Sequence, residues 1–143
     1  MIDDSVVAKW FLNDEELTDA AAKVLASFLS DEIELHAPII LQYELANALT
    51  KAQRHGARPI DAEICLEAYR TFSEYPIVFH HLDEADRLAA LDFANRHRRS
   101  FFDSAYLGLA IKLGCRWLTA EQRFKSNLPV DFSLKYFLSL DTL

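Results

Sequence analysis

Short β-type runs alternate with amphipathic helical segments along the chain, and this alternation most limits how it can fold. Met1-Ile2 reads as the tail of a strand, and residues 5–12 as a short helix with Ser5 as its N-cap. Apolar spacing at Ala21, Val24, Leu25, Phe28 and Leu29 predicts a helix over 18–29. A strand over 33–37 is closed by Pro38, and a long helix over 39–54 ends near Gly56. Pro59 suits the first turn of a helix reaching Glu74, and a strand follows over 77–80. Asp83 caps a helix running to His97, and Asp103 opens one that ends at Gly114. A strand over 116–119, a helical turn over 121–125 and a strand over 136–140 complete the pattern. Strands alternating with helices predict a parallel sheet covered by helices on both faces.

A chain of 143 residues suits a single domain spanning 1–143, and 51% hydrophobic residues supply its core. With only 3 Gly and 4 Pro, long loops are few and helix should dominate. The formal net charge of −7 argues against a simple basic nucleic-acid module. It argues less against a metal-dependent nuclease, where acids hold cations and the cations meet phosphate. Cys65 and Cys115 lack zinc-ligand spacing and read as free core thiols in a reducing compartment. No run approaches the roughly 18 apolar residues of a membrane span and no signal peptide opens the chain, so a cytoplasmic, membrane-free location is expected.

Four acids stand where such a fold could aim them at one point: Asp3, Glu44, Asp103 and Glu121. Sites in parallel α/β sheets form at the carboxyl ends of strands, where Asp3 and Glu121 fall. Asp3 is favoured over Asp4 because the strand ends there and Ser5 can hydrogen-bond its carboxylate. Helix capping alone also explains an acid at Asp3. Glu44 lies on the apolar side of its helix with Ile40, Leu41, Leu45 and Ala48, where a carboxylate is costly unless paired or metal-bound. A buried salt bridge or an acid at the edge of that arc accounts for it equally. Asp103 and Glu121 sit in first helical turns, where the dipole favours acids regardless of function. Gathered together, the four would repel one another and call for a hard cation with oxygen ligands.

Other features are thinner. The five histidines share no ligand spacing, Trp10 and Trp117 read as packing, and no Gly-rich phosphate loop exists. The run Arg96-His97-Arg98-Arg99 reads as a solvated loop, with phosphate steering as the alternative.

Local context around the acids resembles a known family. Asp3-Asp4-Ser5-Val6-Val7-Ala8-Lys9-Trp10-Phe11 resembles the opening Asp-x-Ser motif of PIN-domain proteins, especially the VapC toxins of bacterial toxin–antitoxin pairs. Pro38 followed by Glu44-Leu45-Ala46-Asn47-Ala48-Leu49 resembles their second motif. Phe102-Asp103-Ser104-Ala105-Tyr106-Leu107 resembles the third, and Leu118-Thr119-Ala120-Glu121 the fourth. The resemblance implies a three-layer α/β/α sandwich on a parallel sheet of about five strands. It implies Mg²⁺- or Mn²⁺-dependent endoribonuclease activity, with Asp3, Glu44 and Asp103 as an acidic triad and Glu121 as a fourth ligand. Ser5 and Thr119 would support them by hydrogen bonding, a homodimer would be common, and a VapB-like antitoxin would block the site.

This chain departs from the pattern in two places: Glu121 stands where Asp is usual, and only Met1-Ile2 precede Asp3. Two other readings compete. One is a PIN-like RNA- or protein-binding module with impaired catalysis. The other is a receiver-type signalling domain, although Pro38 rather than Asp ends the early strand, and Thr119 is followed by Ala-Glu rather than Lys.

Overall fold

The computed structural model describes residues 1–12, 16–55, 60–121 and 135–143. Gly56 and Pro59 lie outside these residues, as does the part of the helical turn expected over 121–125 that follows Glu121. In chain order the elements are α1 (Asp4–Val7), a 3₁₀ turn (Ala8–Trp10), α2 (Thr18–Leu29), β1 (His36–Pro38), α3 (Ile40–His55), α4 (Ala62–Glu74), β2 (Val78–His80), α5 (Glu84–His97), α6 (Phe101–Leu113), β3 (Trp117–Thr119), β4 (Phe137–Ser139) and a 3₁₀ turn (Leu140–Thr142).

The strands pair in parallel, β1 with β2 and β3 with β4. Residues 1–2 join the two pairs. Ile2 N–H donates to His36 O at 2.9 Å, Leu118 N–H donates to Met1 O at 2.8 Å, and Ile2 bridges Leu118 in parallel. Residues 1–2 therefore lie at the centre, with the chain winding outward to β1 and β2 on one side and to β3 and β4 on the other. α3 packs against α4 and α5 against α6, and both α3 and α6 lie on β1. The α/β architecture expected from the alternation is the one observed. The centre holds because Ile2, Val6, Val7, Leu41, Leu45 and Leu107 are essentially without solvent exposure.

Local chemistry explains the element ends. α5 opens on a capping box between Asp83 and Asp86. α6 closes at Gly114, whose φ of 64° is the left-handed cap a glycine takes without strain. Three expectations need correction. Ser5 is not the N-cap of α1; Asp3 is, its carboxylate accepting from Val6 N–H. Asp103 does not open α6; Ser100 caps it and Asp103 occupies the third helical position. The first strand begins at His36 rather than Ile33, because ladder pairing starts only where His36 faces Val78. Among the described residues no helix is long and apolar enough to cross a membrane.

Candidate active site

The strand order reverses about residues 1–2, and a crevice forms there at the carboxyl ends of the strands. Asp3 leaves the central position directly and Thr119 ends β3 beside it. Glu44 comes from the second turn of α3 and Asp103 from the first turn of α6. All six residues singled out in the sequence, Asp3, Ser5, Glu44, Asp103, Thr119 and Glu121, line one cavity of about 180 Å³.

Asp3 is only 4% exposed. Its Oδ1 accepts from Ser5 Oγ at 2.6 Å and from Val6 N–H at 3.3 Å, and its Oδ2 accepts from Trp117 Nε1 at 2.9 Å. Burial pushes this carboxyl up to about 7, against the pull of its hydrogen bonds, that from Ser5 foremost. The hydroxyls form a directed chain. Ser5 Oγ gives its proton to Asp3, so in its 3.3 Å contact with Thr119 Oγ1 the threonine donates. Ala120 N–H also donates to Ser5 Oγ at 2.9 Å, and Glu121 N–H to Thr119 Oγ1 at 3.1 Å. The end of β3 is thereby pinned to the start of α1, and Glu121 is held at the rim.

Glu44 is half-buried and accepts from Tyr106 Oη at 2.7 Å. Burial first, then the charges of Asp4, Asp3 and Asp103, raise its carboxyl to about 7 against the Tyr106 hydrogen bond, which lowers it. Tyr106 itself is buried and stacked on Trp117, with ring centroids 5.6 Å apart. Burial and the neighbouring Glu44 charge push its phenol well above the usual range. Asp103 is fixed through its backbone, which donates to Ser100 Oγ at 3.0 Å.

Sequence reasoning missed three contributors. Asp4 lines the same cavity, and its carboxyl is raised by burial and by the charges of Glu121 and Asp103. Trp117 packs as expected but also donates to Asp3, a contact across 114 positions with no local signal. Tyr106 lay within a quoted motif without a role; an aromatic hydroxyl three residues after Asp103, next to a helix start, is the signal that could have found it. The Arg96–Arg99 run stands at the junction of α5 and α6, where Arg96 pairs with Asp92 at 3.0 Å.

The donor set is all oxygen, which suits a hard divalent cation. A carboxylate offers about four lone-pair sites, and three protein donors occupy Asp3, leaving it room for one further partner. Among the described residues, no three His, Cys, Asp or Glu side chains are already drawn together to grip one ion.

Comparison with known proteins bears on the family and the fold. The chain is 29% identical over 130 residues to Ribonuclease VapC3 of Pyrobaculum aerophilum, covering 90% of this chain and 94% of that one. Its fold matches the crystal structure of Mycobacterium tuberculosis VapC20, described as a Sarcin-Ricin loop cleaving toxin. The TM-score is 0.66 at 17% identity, over 96% of this chain and 95% of that one. The PIN domain family model matches residues 1–127, so the chain belongs to the PIN-domain family, with VapC-type proteins among its relatives.

Proposed function

We propose that this protein is a divalent-metal-dependent endoribonuclease that hydrolyses RNA phosphodiesters as the toxin of a VapBC-like pair. The observation that carries the reading is the convergence of Asp3, Glu44, Asp103 and Glu121 from four separate segments on one cavity at the switch point of the sheet. The ribonuclease name of the Pyrobaculum relative supports the reaction class.

Asp3, Glu44 and Asp103, with Glu121 at the rim, would hold Mg²⁺ or Mn²⁺. When bound, such an ion polarises a phosphodiester and lowers the pKa of a coordinated water. Ser5 and Trp117 hold the Asp3 carboxylate in one orientation, and Tyr106 does the same for Glu44. Where Glu44 holds the ion through a water rather than directly, its carboxylate would orient that water or take its proton. Glu121 reaches farther than an Asp would and serves the outer edge of the site. A homodimer and a VapB-like antitoxin in a cytoplasmic setting complete the proposal.

Purified protein should cleave RNA with Mg²⁺ or Mn²⁺ and stop when EDTA is added. Asp3→Asn and Asp103→Asn should each lose most of that cleavage. Full metal-dependent cleavage by both variants would overturn the assignment. A PIN-like module without catalysis would instead show no calorimetric binding of Mn²⁺ and no cleavage.

A further inference from the structure

A second groove opens beside the acid cavity, shares Asp4, Glu44 and Phe102 with it, and runs along α3 past Tyr43, Asn47 and Lys51. Tyr43, Asn47 and Lys51 are spaced four residues apart, so they form one row on the helix. The row spans about 12 Å at the α-helical rise. Tyr43 is 71% exposed and Phe102 50% exposed. Phe102 rests edge-on against Phe101, which leaves half of it and most of Tyr43 open to solvent beside the acid cluster. α3 also carries a charge gradient: Glu44 lies at the cavity end, and Lys51, Arg54 and His55 lie at the far end, all three exposed. In a chain of net charge −7 this is a local basic strip leading away from the acids.

We propose that this groove seats single-stranded RNA, with Tyr43 and Phe102 stacking on an unpaired base next to the cleaved phosphate and Lys51 and Arg54 contacting phosphates farther along. The inference rests on the nuclease reading and adds which residues beside the acid cavity hold the strand. Exposed ring faces bind bases of any sequence, but only when the base is out of a helix. A duplex hides its base faces, so Tyr43 and Phe102 could touch only its edge. Phosphates near the scissile one meet the acids through the cation, whereas phosphates beyond it need a protein cation, which the end of α3 supplies. The Asn47 amide stands between these two regions and can donate to and accept from a base edge.

The test reads binding rather than turnover. A single-stranded 12-nucleotide RNA carrying 2-aminopurine is titrated in EDTA against the wild-type protein, Tyr43→Ala, Tyr43→Phe, Phe102→Ala and Lys51→Gln. Stacking quenches 2-aminopurine fluorescence. Tyr43→Ala should weaken binding about tenfold and remove most of the quenching, and Tyr43→Phe should retain both. Lys51→Gln should lower the slope of log affinity against log salt by about 1. The proposal is overturned if Tyr43→Ala and Phe102→Ala bind and quench like wild type, as they would were the groove a seat for an apolar peptide. It is also overturned if an RNA duplex of the same sequence binds as tightly as the single strand. Cleavage by wild type with no change in Tyr43→Ala binding would remove the groove and leave the nuclease. Quenching without cleavage in Mg²⁺ would leave the groove and remove the nuclease.

Discussion

Asp3 caps α1 and faces the acid cavity with the same carboxylate, and the two roles pull its protonation in opposite directions. Capping and the Trp117 contact favour the ionised form, yet burial wins and the group titrates near 7, as does Glu44. Both pKa values lie above those of the unfolded chain, so the folded state holds these protons more tightly. The contribution of these two groups to metal-free stability is therefore fully present below about pH 4 and is lost as pH rises through about 7. Divalent binding has the opposite sign, because the ligands must be ionised, so metal affinity and cleavage should rise with pH through about 7. Tyr106→Phe separates the contributors. It removes the hydroxyl that lowers Glu44 and keeps the ring stacked on Trp117. The midpoint of the kcat/KM profile against pH should then move upward by up to about one unit. An unmoved midpoint with unchanged Mn²⁺ affinity would show that Tyr106 does nothing for the charge on Glu44.

At the scale of elements, α6 places Asp103 through its cap. Ser100 Oγ accepts the Asp103 N–H, and the Ser100 carbonyl accepts from Ser104 Oγ at 2.8 Å. Ser100→Ala should cost about 1 kcal/mol of stability, lower the thermal midpoint by a few degrees, and reduce cleavage by loosening the first turn. Ser100→Asp should restore the midpoint, and a Ser100→Ala protein as stable and active as wild type would refute the role of the cap. The same helix shows what sequence can reveal. Its C-terminus at Gly114 was legible because a glycine cap is a local signal, and so were α2 and the Asp83 cap of α5. Its N-terminus was misplaced onto Asp103 because Ser and Asp both cap helices, and only the backbone shows which one does. Ser5 and Asp3 were confused for the same reason. The strands were less legible, since each pairs over only three residues and its length depends on a neighbour far along the chain. Trp117 was legible as core but not as a partner of Asp3, because nothing within a few residues of either encodes a contact across 114 positions.

At the scale of the molecule, an acidic chain concentrates five carboxylates, Asp3, Asp4, Glu44, Asp103 and Glu121, around one small cavity. The cost is visible in the raised pKa values of Asp3, Asp4 and Glu44, each of which counts a neighbouring acid among its causes. Unfolding disperses these groups, so a divalent cation held by them binds the folded state almost exclusively. Mass action then gives about 2.7 kcal/mol of stabilisation at a hundred times the dissociation constant. For a chain of this size the thermal midpoint should rise by roughly 5–10 °C. Calorimetry in Mn²⁺ should show that rise at pH 8, with a smaller one at pH 5, where Asp3 and Glu44 hold their protons. Sodium chloride at matched ionic strength should give much less, because screening relieves repulsion without supplying a ligand-bound charge. Asp103→Asn should lose most of the Mn²⁺ response while raising the metal-free midpoint, since it removes one repelling charge. Glu121→Gln then decides the fourth position. Loss of part of the response would place its longer side chain among the ligands. A full response would leave Asp3, Glu44 and Asp103 as the working set. An Asp103→Asn protein that gains as much from Mn²⁺ as the wild type would mean that the ion binds elsewhere.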